Sequence, residues 1–537
     1  MPDPALLGFA LLLGIPLAGA VVAGLVRGRA SDWTAVLASL ATALVAGAVV
    51  ARHGIAGVTV PLGGLPLVDR IAGRPVPLFG FVLDPLSSLV LLGAVIIGFV
   101  CVLYSVAYVG PRNRETPAGE DRRSYWFWML LFVAAMSGLV TSATLIQLFI
   151  FWEVTTVCSW ALIGFYDEEA ESLAAAQKAF LMTAGGGLAL FAATLALLAM
   201  THSAGFDAFG QLPAGLQGGA AVLLVVCVLV GAWAKSAQVP FHTWLPSAMV
   251  APSPVSAYLH AASMVNAGVY LVLRVALANP RTPVAGADVA AAAALPAGVS
   301  AVPAVALPLP TVAPLGHGFP GGIVVLVAAM AVLTLVVSVA QFFYQDDLKR
   351  LLALSTISHL ALVLLGASLL IAGSVRAAQG AALHILAHGV GKALLFLSVG
   401  TLSYAAGTRR IRDLSGVFKR APVASVGFLI GALTVTGVPP FAGFWSKLMI
   451  VTGAVQLGGW GIAAGALVVL ESVVAFAWFL WVGQRVFLGR PSPASAGIGP
   501  RSQAMEASLV ILMLLCLAIT AIALPLASAV RPGGLGG

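Results

Sequence analysis

The chain carries 21 arginines but only six lysines, and the two kinds of cation fall in different places. Nearly every arginine lies in a polar connection or at the end of an apolar run. Four lysines, Lys178, Lys235, Lys392 and Lys447, lie inside or at the edge of apolar runs, or beside proline breaks. Arginine is effectively never deprotonated, whereas a buried lysine shifts its pKa readily and can cycle between charged and neutral forms. Two carboxylates, Glu153 in LFIFWEVTTVCSW and Glu471 in VVLESVVAF, also sit in mid-run. Even the low insertion scales charge about 2.5 to 3.5 kcal/mol for an ionised group at the centre of a membrane helix. Histidines extend the series, with His260, His359, and then His384, His388 and Lys392 spaced four residues apart on one helix face. Imidazole titrates near neutrality, so such a row could pass a proton through intervening water. Two unit charges about 6 Å apart at an effective dielectric of 20 interact by nearly 3 kcal/mol, or about two pKa units, enough to drive hops in sequence. The competing reading is structural: Glu153 with Lys235 could simply fix helix packing, and a lone histidine on an apolar face is often a satisfied core residue. For isolated Glu471 and for His359 both readings stay open. His53, His202 and His317 read as loop residues.

The elements that must hold these groups are membrane helices. Of 537 residues, 60% are hydrophobic and 9% charged, against roughly 25% charged in an average soluble domain. Apolar runs of about 20 residues, the length that crosses a hydrocarbon core, recur from end to end, and about fourteen can be counted. They cover 4–26, 33–51, 81–109, 125–142, 144–166, 173–200, 219–240, 254–277, 321–341, 350–372, 378–403, 422–440, 460–484 and 507–529. The first reads as a retained helix, since no basic segment precedes it and it is long for a signal-peptide core. The fold class is therefore all-α and polytopic. The net charge of +8 comes from basic residues scattered over short loops rather than from a basic patch with interleaved aromatics, which argues against nucleic acid. The basic loops, including Arg112, Arg114, Arg122, Arg123, Arg409, Arg410, Arg412, Lys419 and Arg420, follow odd-numbered helices. The positive-inside rule then puts both termini outside the cytoplasm, in a bacterial inner membrane.

Two helices look interrupted. The seventh runs through GAWAKSAQVPFHTWLP (231–246) and the twelfth through TVTGVPPFAGFWSK (434–447), where Pro240, Pro439 and Pro440 break regular helix. Breaks at membrane depth are tolerated only where the freed backbone is buried in protein or lines a wet cavity, and a matched pair of them points to a transport site. Their placement suggests two inverted five-helix repeats. The organisation is then 1–110 for the first three helices, 125–277 for a first half-channel, 278–320 for a low-complexity Ala/Pro/Gly external loop, 321–484 for a second half-channel, and 507–529 for a last helix. Cys101, Cys158, Cys227 and Cys516 fall inside apolar helices without disulfide or metal spacing, and no phosphate loop, dinucleotide fingerprint or cluster motif is present. The expectation is no cofactor and no metal, with any redox chemistry belonging to a partner.

The motifs resemble those of the antiporter-like subunits shared by respiratory complex I, multisubunit Mrp-type cation/proton antiporters and membrane-bound hydrogenases. The resemblance covers roughly residues 80 to 450. It rests on DPLSSLVLL with LYSVAY (84–108), FWEVTTVCSWALIGFY (151–166), AKSAQVPFHTWLPSAMVAPSPVSAYLHAASMVNAGVYLVLR (234–274), DLKRLLALSTISHL (347–360), HILAHGVGKALLFL (384–397) and GVPPFAGFWSK (437–447). The resemblance implies that Glu153 and Lys235 form the ion pair of the first half. His260 and Lys349 would link it toward His384, His388 and Lys392, with Lys447 as the terminal proton site. A lysine at 447 is similar to the L-type subunit of complex I and the Mrp A-type. After AFLMT the L-type usually continues with Arg and Asp, whereas this chain has Ala184, Gly185, Gly186 and Gly187, more like the A-type and hydrogenase relatives. The chain is also read as lacking the long lateral helix of the L-type and the extra C-terminal domain of the A-type.

The function expected is an ion-translocating membrane subunit of a multisubunit complex related to quinone oxidoreductases and hydrogenases. Its partners would be other membrane subunits and the lipid bilayer. Protons are favoured over sodium, because the row is built from Lys, His and Glu rather than an oxygen cage. The alternatives are a subunit of a Mrp-type Na+/H+ antiporter and the membrane subunit of an inorganic-carbon uptake complex.

Overall fold

Local chemistry fixes where the helices begin and end. Asp84 opens a helix through a capping box: its Oδ1 accepts from the Ser87 amide at 2.9 Å, while Ser87 Oγ accepts from the Asp84 amide at 2.8 Å. Thr144, Asp347 and Ser374 cap later helices in the same way with one side-chain oxygen each. Gly407 and Gly437 close two helices in the left-handed region. The computed structural model describes residues 3–119, 121–212, 218–279, 321–499 and 502–533.

In chain order, α1 (Pro4–Leu25) and α2 (Arg29–His53) lead to strand β1 (Val58–Gly63), the short α3 (Pro66–Ala72) and strand β2 (Phe79–Leu83). Then come α4 (Pro85–Tyr108), α5 (Arg123–Val140), α6 (Leu145–Ile163), α7 (Ala170–Thr201), α8 (Gly219–Lys235), the one-turn α9 (Trp244–Ser247), α10 (Ser253–Ala261) and α11 (Met264–Ala278). The remainder comprises α12 (Gly321–Phe342), α13 (Leu348–Ile371), α14 (Val375–Ala406), α15 (Pro422–Thr436), α16 (Ala442–Leu457), α17 (Trp460–Phe487), the short α18 (Pro493–Ala496) and α19 (Gln503–Ala529). The two strands pair antiparallel between α2 and α4, a hairpin the hydropathy pattern did not reveal.

Among the described residues, twelve helices are long and apolar enough to cross a membrane, with α10 and α11 taken together. Two expected spans, α8 and α15, are only 17 and 15 residues long, because the chain leaves helical geometry before the prolines. Two further boundaries differ from expectation. The break in the eighth predicted helix, at Ala262 and Ser263 between α10 and α11, carries no proline and gave no sequence signal. The chain after Pro440 resumes as α16, which no predicted span covered. Most of the expected 278–320 loop lies outside the described residues.

Burial sorts the helices by position. The apolar windows of α13 and α14 are 100% buried and that of α4 is 83% buried, whereas those of α1, α12, α17 and α19 are 33% buried. All are apolar around their whole circumference, the pattern of helices that meet either lipid or one another. The fully enclosed α13 and α14 nonetheless carry Lys349, His359, His384, His388 and Lys392, so the polar groups sit where lipid is furthest away.

One buried network braces this assembly. Arg274 on α11 is 1% exposed and forks onto both carboxylate oxygens of Asp84 and onto Tyr270 Oη, which in turn donates to the Val140 carbonyl at 2.7 Å. It joins the start of α4 to α11 and the end of α5. In the sequence Arg274 looks no different from the other arginines at helix ends.

Candidate functional site

Lys235 closes the last turn of α8, immediately before the backbone turns away; Ala237 takes a positive φ of 50° and the Val239–Pro240 bond is cis. The ammonium is fully buried. It donates to the Trp152 carbonyl at 2.6 Å and to Thr156 Oγ1 at 2.7 Å, and lies 4.7 Å from the Trp152 ring centroid. It makes no direct salt bridge with Glu153, although the two charges lie close enough to interact electrostatically. Both groups belong to the same α6–α8 junction, but the lysine is held by the carbonyl of the residue preceding Glu153 and by a hydroxyl one turn further on. Glu153 is half-buried, and its Oε1 has no hydrogen-bond partner. On α7, Gly187 faces this carboxylate so closely that a Cβ there would collide with Oε1. Gly186 packs against α8, where its Cβ would collide with the Ala234 Cβ, whereas a Cβ at Gly185 would meet nothing, so packing accounts for only part of the glycine run.

Lys178 is half-buried rather than deep, with Nζ 3.2 Å from Ser247 Oγ beside the α9 turn. His260 lies in α10 just before the break, fully buried; neither ring nitrogen has a partner, and the imidazole stacks on Phe396 at 5.1 Å. Lys349 on α13 donates to the Ala251 carbonyl at 2.6 Å, and Lys392 on α14 to the Leu352 carbonyl at 3.1 Å. Backbone carbonyls, in the middle of α6, after the 248–250 turn and in the second turn of α13, are thus the direct hydrogen-bond acceptors for three of the lysines. Outside the helices, Arg409 bridges Asp347 at 2.6 Å and Glu115 at 3.0 Å at the mouth of α13. Burial would lower the pKa of Arg409, but the two carboxylates outweigh it and hold the guanidinium above its ordinary range.

The second half forms a connected cluster. His384 shares its Nε2 with His359 Nδ1 at 3.1 Å and its Nδ1 with Ser446 Oγ at 2.8 Å. The His388 ring lies 5.2 Å from that of His359 and 6.1 Å from that of His384. Ser446 precedes Lys447 on α16, and Lys447 Nζ meets Glu471 Oε2 at 3.1 Å, Ser472 Oγ at 2.9 Å and the Thr436 carbonyl at 3.3 Å. Gly437 permits this approach: it has φ 89°, and a Cβ there would lie 3.1 Å from Lys447 Cδ. Two residues left open in the sequence, His359 and Glu471, therefore join the cluster. The motif STISHL carried a signal for His359; Glu471 offered only its own insertion cost.

Lys235, Lys349, Lys392 and Lys447 are each at most 5% exposed, and the cost of burying each ammonium is offset only by the groups it touches. Residues 142–302 and 284–474 match the family described as NADH:quinone oxidoreductase/Mrp antiporter, TM. The chain belongs to this NADH:quinone oxidoreductase/Mrp antiporter family.

Its relatives include the chloroplastic NAD(P)H-quinone oxidoreductase subunit 5 of Ranunculus macranthus, 34% identical over 384 residues, which is 69% of this chain and 45% of the relative. The A-type subunit of the Na(+)/H(+) antiporter of Alkalihalophilus pseudofirmus is 33% identical over 437 residues, 77% of this chain and 49% of the relative. The chain thus spans about half the length of the curated relatives it matches. Among solved structures, the Mrp complex from Dietzia sp. DQ12-45-1b matches with a TM-score of 0.76 at 27% identity, covering 100% of this chain and 52% of that one. The archaeal membrane-bound sulfane sulfur reductase matches in fold with the same TM-score of 0.76 at 20% identity, over 97% of this chain and 77% of that one. Family membership and the long apolar helices make this a multi-pass membrane protein.

Proposed function

We propose that this chain is the ion-translocating subunit of a multisubunit membrane complex, moving protons along Glu153, Lys235, His260, Lys349, His384, His388, Lys392 and Lys447. The observation that carries the reading is the burial of four lysines, three of them donating to neutral carbonyls, in the same interior as four buried histidines. A lysine so placed can give up its proton without leaving a carboxylate in direct contact stranded, and Lys447, which does touch a carboxylate, has an acceptor for its proton in that contact. Residues 125–277 and 321–484 would serve as the two half-channels, related as inverted repeats, each with a lysine at a broken helix. The chain would lie in a bacterial inner membrane with both termini on the outer face.

Protons are favoured because the row is made of Lys and His nitrogens and not of clustered oxygens. The relatives' names keep a second reading alive, a subunit of a Na+/H+ antiporter, and an inorganic-carbon uptake complex is a third user of such a channel. Redox chemistry, where the complex has it, would belong to other subunits. The test is to purify the chain with its partners from native membranes, identify them, and reconstitute the complex in vesicles with an internal pH dye, with and without sodium. Acidification that tracks the complex's driving reaction and needs no sodium is expected. A fully assembled, driven complex that moves neither ion would sink the proposal. For orientation, cysteines placed in the 110–123 loop should resist an impermeant reagent added outside intact cells, whereas cysteines at positions 3 and 533 should react; the reverse pattern would overturn it.

A further inference from the structure

Glu471, like His359, is a buried ionisable residue of the second-half cluster that the row above leaves unused. It lies on α17, a helix whose apolar window is only 33% buried and whose adjacent Leu470 and Val473 are 59% and 60% exposed. The carboxylate itself is turned inward and is 2% exposed. A peripheral helix gains nothing in lipid by carrying a carboxylate, and the cost of insertion has to be met by what Glu471 touches.

It touches two different parts of the cluster. Oε2 accepts from Lys447 Nζ at 3.1 Å and Oε1 accepts from Ser358 Oγ at 3.3 Å. Ser358 is the chain neighbour of His359, and Ser446 the neighbour of Lys447. The carboxylate and the His359–His384–Ser446 string therefore run between α13 and α16 as two parallel lines of polar contacts. The charged and titratable groups facing this space are Lys447 from α16, His359 from α13, and His384, His388 and Lys392 from α14. The Lys392 ammonium reaches toward α17, 5.6 Å from the ring of Phe479, two turns beyond Glu471. Lys447 also differs from the other three buried row lysines, being the one among the described residues in direct contact with a carboxylate.

We propose that Glu471 is a proton-carrying residue of the second half, taking the proton of Lys447 across their direct contact. The Nζ–H bond breaks and an Oε2–H bond forms, leaving a neutral amine beside a neutral acid; no other reactant is consumed. A low-dielectric interior favours the neutral forms of both groups, so an opposite-charge pair in contact can exchange its proton and become a neutral pair, a route a lone buried ammonium lacks. Ser358 then keeps the acid hydrogen-bonded on its other oxygen. This inference rests on the reading of Lys447 as a transport residue.

The experiment uses the purified complex in vesicles, comparing E471Q, E471D and K447M with the unaltered chain. E471Q should lower proton movement by on the order of a hundredfold, the lower range of what a proton-transferring side chain contributes. E471D, which still titrates, should retain measurable transport with a displaced pH profile. Infrared difference spectra taken across the working pH range should show a protonated-carboxyl band that shifts in E471D and is lost in E471Q. Normal transport by K447M would remove the underlying reading. Inactive K447M with E471Q at the normal rate and pH profile would overturn the role of Glu471 alone. Should E471Q reduce the yield by leaving Lys447 without a counter-charge, E471D and the spectra decide: an unshifted pH profile together with no carboxyl band overturns the proposal.

Discussion

Replacing Lys235 by methionine and by arginine separates a proton carrier from a structural cation. The ammonium donates two charge-assisted hydrogen bonds, at 2.6 and 2.7 Å, and sits over the Trp152 ring at 4.7 Å. At about 1.5 to 3 kcal/mol for each hydrogen bond to a charged group and about 2 kcal/mol for a desolvated cation–π contact, methionine forfeits about 5 to 8 kcal/mol. Against this stands the several kcal/mol needed to bury one ion, which methionine does not incur. The acceptors are not stranded, because the Trp152 carbonyl also takes the hydroxyls of Thr155 and Thr156 at 2.7 and 3.1 Å. The terms offset to within a few kcal/mol, so Lys235→Met should assemble into a complex of normal composition and yet lose driven proton transport. Lys235→Arg keeps the charge but cannot release it, and should be nearly as inactive. The assay is dye-monitored proton uptake in reconstituted vesicles, alongside the yield of intact complex. Near-normal transport by Lys235→Arg would refute the reasoning and leave Lys235 a structural cation.

Three further outcomes are expected. Ser446→Ala removes one neutral hydrogen bond, worth about 0.5 to 1.5 kcal/mol, so the complex should keep its thermal stability while proton movement slows markedly; unchanged kinetics would exclude the serine from the path. Asp84→Asn unpairs the buried Arg274 and should destabilise the protein by about 3 to 5 kcal/mol, read as a lower melting temperature and reduced yield rather than as an altered pH profile. Metal and flavin analysis of the purified chain should find neither in stoichiometric amount, since no sequence motif for either is present, and bound iron or flavin would contradict this.

The helices and their membrane character were legible because a run of about 20 apolar residues has few other uses, and the broken α8 and α15 followed from Pro240, Pro439 and Pro440. What escaped has physical reasons. The break at Ala262 and Ser263 uses no proline, so composition is silent there. The helix after Pro440 mixes Ser446 and Lys447 into an apolar stretch of 16 residues, too short and too polar for a hydropathy count. The site was legible as a set of residue types and not as a set of contacts. His384, His388 and Lys392 share a face by periodicity alone. The contact of Lys447 with Glu471, 24 residues along, depends on how α16 meets α17, and no local pattern reports that. The Glu153–Lys235 pair shows a similar limit: the two charges interact electrostatically, but the direct hydrogen bonds of the ammonium go to a carbonyl and a hydroxyl of α6, which the sequence did not report.

The two halves consequently pose different problems for a proton. From Ser446 through His384 to His359 the polar groups are hydrogen-bonded in series, so a transfer along that string needs little beyond reorientation of rings and the hydroxyl, whereas Lys447 adjoins Ser446 only along the chain and contacts Glu471 and Ser472 instead. In the first half Lys235 is satisfied by Trp152 and Thr156, Glu153 has an unpartnered oxygen, and both nitrogens of His260 are free of protein partners. Unpartnered buried polar atoms are costly where they stay dry and are commonly met by water. The proposed route therefore requires hydration or side-chain movement around His260 and Glu153, and around His388, whose two ring nitrogens are also without a protein partner, while His359, His384 and Ser446 are linked directly by protein hydrogen bonds. If so, narrowing the space around His260 without touching a titratable group, as by Ala261→Val, should slow transport more than an equal narrowing beside His384. Equal effects of the two substitutions, at equal stability, would place the hydrated step elsewhere.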